Sequence, residues 1–146
     1  MLSKFIRYTQ VADSLVIDTF LNSDKNIPQA EALFSHILNA QHIWISRIHE
    51  VPPEYERFDI HPLSEFRKMH DLNITQLKQI FETEDLDKIV RYSNSLGTFE
   101  DYLSHILLHV ANHSTYHRAQ IASHFKQNGI MPPVTDFIWL QREGLL

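Results

Sequence analysis

The sequence predicts an all-α chain whose long helices make a four-helix bundle, with room for a short hairpin between helices three and four. Two observations lead there. Glycine is scarce, at 3 of 146 residues, and the 6 prolines gather at apparent boundaries, so long stretches lack both helix breakers. Within those stretches apolar residues recur at three- and four-residue intervals, the period of an amphipathic helix. A chain of this length holds one domain with a real core and is short for two. Residues 1–146 are therefore read as a single domain.

The first helix is expected from about Ser3 to Asn22, with Phe5, Tyr8, Ala12, Leu15, Val16 and Thr19 on one stripe. The second opens near Asn26-Ile27-Pro28, where Asn can cap and Pro suits the first turn, and runs to about Glu50, before Pro52-Pro53. Its stripe reads Leu33, His36, Ile37, Ala40, Ile43, Trp44, Arg47. The third opens at Pro62 and runs to about Glu82, carrying Phe66, His70, Asn73, Leu77, Ile80 and Phe81. The segments Ile89–Tyr92 and Asn94–Gly97 read as a short hairpin or an extended excursion. The fourth helix is expected from Thr98, whose hydroxyl can cap, to Asn128, with Gly129 as its C′ residue. After Pro132-Pro133 a short amphipathic segment runs from Phe137 to Glu143.

Composition removes several function classes. A formal net charge of -5 speaks against nucleic acid as a partner, which would need a basic face. With no cysteine, disulfides, thiolate metal sites and cysteine nucleophiles are excluded, and a cytoplasmic location is expected. The N-terminus has no apolar h-region, and no run approaches a membrane span, so no membrane partner is expected. There is no nucleophile elbow and no glycine-rich phosphate loop.

What remains is histidine, 10 in all. The fourth helix repeats it every fourth residue at His109, His113 and His117, and residues four apart share one helix face. Stepping the inward positions as Phe99, Leu103, Ile106, Val110, His113, His117, Ile121, His124 puts His113 and His117 on the seam and leaves His109 beside it. In the second helix His36 lies on the apolar stripe, while His42 and His49 are read as solvent-facing. A lone histidine on an apolar face is ordinarily a core residue bonded to a neighbour, which is the reading for His70, His105 and His124. Three directed at one interior are a different matter, because each unpartnered buried polar group costs about 1–3 kcal/mol. A divalent cation is the simplest shared partner for His36, His113 and His117, and three imidazoles leave a coordination position open. Arg118 is read as a salt-bridge residue, Trp44 and Tyr116 as core before platform, and Asn39 as a surface or margin residue.

The stretch Asn112-His113-Ser114-Thr115-Tyr116-His117-Arg118-Ala119-Gln120-Ile121, then Gly129 and Pro132-Pro133 with Asp136, resembles the DinB-like family. So does Ser35-His36-Ile37-Leu38-Asn39-Ala40 followed by Trp44 and Arg47. The resemblance implies a four-helix bundle of the DinB/YfiT-like type, with one histidine from the second helix and a pair from the fourth holding a divalent metal, zinc or nickel. It thereby points to His36, His113 and His117. It also implies a homodimer and kinship with metal-dependent transferases that use low-molecular-weight thiols, such as bacillithiol-type S-transferases and a mycothiol-dependent isomerase. The family name records induction by DNA damage, a stress response, and not a chemistry. Many relatives have glycine where this chain has Ala119, a change that favours the helix without removing a ligand. The expected function is a metal-dependent enzyme of thiol S-transferase or hydrolase type. The alternative is a non-catalytic metal-binding bundle or interaction module, closed by a fourth ligand such as His70.

Overall fold

The computed structural model describes residues 1–146. Four long helices and one short one alternate with a single hairpin: α1 Leu2–Leu21, α2 Pro28–Ile48, α3 Leu63–Thr83, β1 Ile89–Asn94, β2 Gly97–Tyr102, α4 Leu103–Gln127 and α5 Phe137–Arg142. The molecule is thus mostly helical with a small two-stranded sheet. Helix α1 packs on α3 and α4, and α2 packs on the same two. No helix is long and apolar enough to cross a membrane.

The hairpin takes what the sequence pattern assigned to the start of the fourth helix. Thr98 does not cap a helix; it pairs with Ser93 in an antiparallel register that runs from Asn94↔Gly97 to Ile89↔Tyr102. Cross-strand partners outweigh the local capping signal. Arg91 pairs with Glu100, Ser93 and Thr98 hydroxyls meet at 2.9 Å, and the Tyr92 hydroxyl donates to Asp101 at 2.7 Å. Helix α4 therefore begins at Leu103, and its leading amides are satisfied by backbone: Leu103 N–H donates to Lys88 O at 2.9 Å and Ser104 N–H to Leu86 O at 3.0 Å. Its other end matches expectation. Gly129 adopts φ 70°, and Ile130 N–H reaches back to Phe125 O at 2.9 Å, a Schellman closure that needs the left-handed residue.

The core has two apolar halves with a polar layer between them. One half gathers Phe20, Phe34, Phe66 and Phe125 with aliphatic neighbours; Phe20 packs against Phe125 with centroids 4.9 Å apart. The other gathers Ile45, Ile74, Leu77, Leu103, Leu107 and Val110. Between them Asp13 of α1 is fully buried and pairs with Arg118 of α4 at 2.6 Å. Gln41 of α2 donates to Asp13 Oδ2 at 2.9 Å and to Ser114 Oγ at 3.2 Å. Asn73 of α3 donates to Leu38 O at 3.0 Å and to Gln41 Oε1 at 3.3 Å. One hydrogen-bonded layer therefore touches all four long helices and sets their axial register.

Candidate metal centre

The polar layer explains where the histidines go. The buried face of α4 runs Leu103, Ile106, Leu107, Val110, Ala111, Ser114, Arg118, Ile121, Phe125. That seam passes through Ser114 and Arg118, one residue beyond each expected histidine. His113 and His117 consequently lie at the seam's margin, half-buried, rather than in the bundle interior. His36 is half-buried too, on the flank of α2. Their meeting place is the junction of α2 and α4, facing a cavity of about 1270 Å³. Most of the α2 stripe read as core in fact lines this cavity: Leu33, His36, Ala40, Ile43, Trp44 and Arg47. Only Ile37 of that stripe is buried in the core.

The structure brings the expected trio together. His36, His113 and His117 can each direct one ring nitrogen so that the three atoms lie within 4.8 Å of one another. Ring centroids are 4.9 Å apart for His36–His113, 4.7 Å for His36–His117 and 4.5 Å for His113–His117. Metal–nitrogen bonds of about 2.0–2.1 Å need a somewhat closer approach than this. No carboxylate or fourth histidine belongs to the cluster.

Two of the three rings are oriented from behind. The Nδ1 of His36 lies 3.0 Å from Arg57 O. A carbonyl only accepts, so Nδ1 carries the hydrogen, and in the neutral ring Nε2 keeps its lone pair. The Nδ1 of His117 lies 2.8 Å from Gln120 Oε1, with the same consequence. Such partners on the far ring nitrogen fix tautomer and direction in metal-binding histidines. Burial favours the neutral form of His36 and His113. Burial pushes His113 down to about 3, with the positive charges that His117, His36, His109 and Arg57 would present adding to it. Burial also lowers His36, partly offset by its bond to the Arg57 carbonyl.

Helix α2 holds the segment 49–62 over the site. Ser35 Oγ accepts from His61 N–H at 3.0 Å, and Asn39 Nδ2 donates to Asp59 O at 2.8 Å. His61 Nε2 meets Asn39 Oδ1 at 2.6 Å, and Glu54 N–H donates to His42 Nε2 at 2.9 Å. Asn39 is thus fully buried, and His42 is half-buried; neither is the surface residue the periodicity suggested, because the loop covers them. His49 and His105 are exposed, as is most of Tyr116. Tyr116 is therefore not core, although its ring lies 5.0 Å from that of His117. His70 is buried within α3, unlinked to the cluster. His109 is off the seam, as expected, and its ring lies 5.4 Å from Trp44 and 5.8 Å from His113. Arg118 makes the salt bridge its position suggested.

The sequence reading missed Asp13, Gln41 and Arg57. Asp13 and Gln41 had a signal: each is a polar residue at helical spacing from buried apolar ones, Asp13 from Val16 and Ile17 and Gln41 from Leu38 and Ile45. Arg57 had none, since loop packing leaves no period to read.

No curated protein matches this chain. The DinB family matches residues 10–144 of the 146-residue chain, a span that includes all three clustered histidines and both helices that carry them. The chain belongs to the DinB family.

Proposed function

We propose that this protein is a divalent-metal-dependent enzyme of thiol S-transferase or hydrolase type, built on a DinB/YfiT-like four-helix bundle. The observation that carries the reading is three imidazoles from two helices converging at the wall of a large cavity with no fourth ligand beside them. A closed structural site uses four protein ligands, whereas three leave room for water or substrate. His36, His113 and His117 would hold the ion; zinc or nickel suits an all-imidazole set. Bound there, it would supply Lewis acidity and lower the pKa of a coordinated water or thiol.

The chain's own residues supply the rest. Arg57 O and Gln120 aim two ligands, the α2–α4 junction fixes their spacing, and Trp44 and Phe58 give the cavity apolar surface. With no cysteine in the chain, a thiol nucleophile would enter as a cosubstrate. The cavity opens beside the histidines and offers it room.

Metal analysis of tag-free protein tests the site. About one ion per chain is expected in the wild type, with His113→Ala and His117→Ala each losing it. Full occupancy in both variants would refute the assignment. Turnover of epoxides or alkyl halides with a panel of small thiols, and of ester and amide substrates without them, tests the reaction type. Family resemblance supports a homodimer, which light scattering on the eluted protein would check.

A further inference from the structure

The cavity beside the histidines holds two arginines without an ion-pair partner. Arg47 on α2 and Arg57 on the 49–62 segment both line it. The ion pairs of the molecule engage Arg67, Lys68, Lys88, Arg91 and Arg118. Side-chain hydrogen bonds from arginine come from Arg7, Arg67, Arg91 and Arg118. Neither cavity arginine has a carboxylate partner, although Glu56 lines the same space. Burial lowers the pKa of Arg47, and the charge of Arg57 adds to the effect against the opposing influence of Tyr92.

Arg47 is also held in place. Its guanidinium carbon sits 4.5 Å from the Trp44 ring centroid and 5.0 Å from that of Tyr92. The Tyr92 hydroxyl is tied to Asp101 at 2.7 Å, so this carboxylate is already engaged. Stacking on a ring uses the guanidinium face and leaves its N–H edge free for a bidentate partner. A guanidinium stacked at a surface would need no further explanation. Here the group is half-buried, is accompanied by a second unpaired cation, and connects to the metal centre through Trp44, His109 and His113 in successive ring contacts of 5.4 and 5.8 Å.

We propose that Arg47 is the anchor for the carboxylate of a small organic acid, whose other end reaches the three-histidine centre and whose middle lies along Trp44 and His109. Arg57 adds favourable field without being the fork. The inference rests on the metal-centre reading and extends it to a substrate class: molecules with an anionic end separated by an apolar spacer from the reacting group.

Cobalt(II)-loaded protein tests it, with mercaptohexanoate and mercaptohexanol as probes and the thiolate-to-cobalt charge-transfer band as readout. Mercaptohexanoate should half-saturate wild-type protein at a concentration about tenfold lower than mercaptohexanol, the scale of one charge-assisted hydrogen-bonded contact. Arg47→Gln should erase that preference while leaving the mercaptohexanol midpoint and cobalt uptake unchanged, and Arg47→Lys should keep part of it. Equal midpoints for the two probes on wild-type protein would overturn the anchor, whatever the variants do. So would an Arg47→Gln variant that weakens both probes alike. Protein that takes up no cobalt at His36, His113 and His117 would instead overturn the metal reading, and the anchor with it.

Discussion

Gln120 shows how much a single side chain behind a clustered histidine can decide. Its amide oxygen lies 2.8 Å from His117 Nδ1, at a spacing of three residues on α4 that places both on adjacent turns. Without it the His117 ring can rotate and either nitrogen can carry the hydrogen. Partners of this kind are worth roughly 10–100-fold in metal affinity. Gln120→Ala should therefore weaken zinc binding by about that factor, measured by competition with a chromophoric chelator, while the far-ultraviolet circular dichroism stays unchanged. Gln120→Glu should retain or raise affinity, since a carboxylate accepts the same hydrogen bond. If Gln120→Ala binds zinc as tightly as wild type, the hydrogen bond does not orient the ligand. His113 has no such partner; its ring neighbours are His36, His117 and His109, which makes it the residue whose position depends most on helix packing.

At the scale of elements, the buried ion pair one residue beyond His117 holds the seam of α4 and leaves the histidines at its margin. Asp13 and Arg118 are 0% and 2% exposed, and the pair ties α1 to α4 between the two apolar halves. Arg118 also donates to Thr115 Oγ1 at 2.8 Å and lies 4.9 Å from the Tyr8 ring centroid. Removing one member strands the other charge, at a cost of about 3–5 kcal/mol. Arg118→Met should destabilise the protein by about that much in urea unfolding. Asp13→Leu combined with Arg118→Met should cost less than Arg118→Met alone, because no unpaired charge is left. A double variant as unstable as the sum of the singles would mean that the layer acts through its hydrogen bonds to Gln41 and not through charge. This layer also marks where sequence reading stopped. Helix periods located α1 to α4 within a few residues, and the His113/His117 spacing located two of the three clustered histidines, because both are local patterns. The pattern could not say which of two adjacent stripes on α4 faced the core. Ser114 and Arg118 join the core only because Gln41 and Asp13 arrive from other helices to satisfy them. The first turn expected at Thr98 failed for the same reason: its competitor, β1, lies elsewhere in the chain.

For the molecule as a whole, the histidines couple stability to pH in one direction. His36, His42, His61, His70, His109 and His113 all have lowered pKa values, and burial is the largest cause for each. In the unfolded chain their pKa returns to about 6.5. Below that value the unfolded chain binds more protons than the folded one, so stability falls as pH drops. The contribution is complete above about pH 7 and is lost progressively from about pH 6.5 toward the lowered folded-state values, at up to about 1.4 kcal/mol per unit for each group. Half-buried His42 and His61 and exposed His109 contribute less than this ceiling because solvent screens them. His70 should contribute most consistently. It is 1% exposed and its Nδ1 has no partner, so protonation there cannot be relieved by contact with water. The metal-free protein should therefore lose denaturant midpoint steadily from pH 7 to pH 5. His70→Gln, which cannot titrate, should start less stable at pH 7 yet show a shallower slope. Zinc should raise the midpoint at pH 7 by mass action and progressively less at pH 5, where protons compete for the ligand nitrogens. A midpoint that stays level across this range in metal-free protein would show that these imidazoles are accessible enough to be protonated without cost. Their neutrality in the centre would then have to come from the metal rather than from the fold.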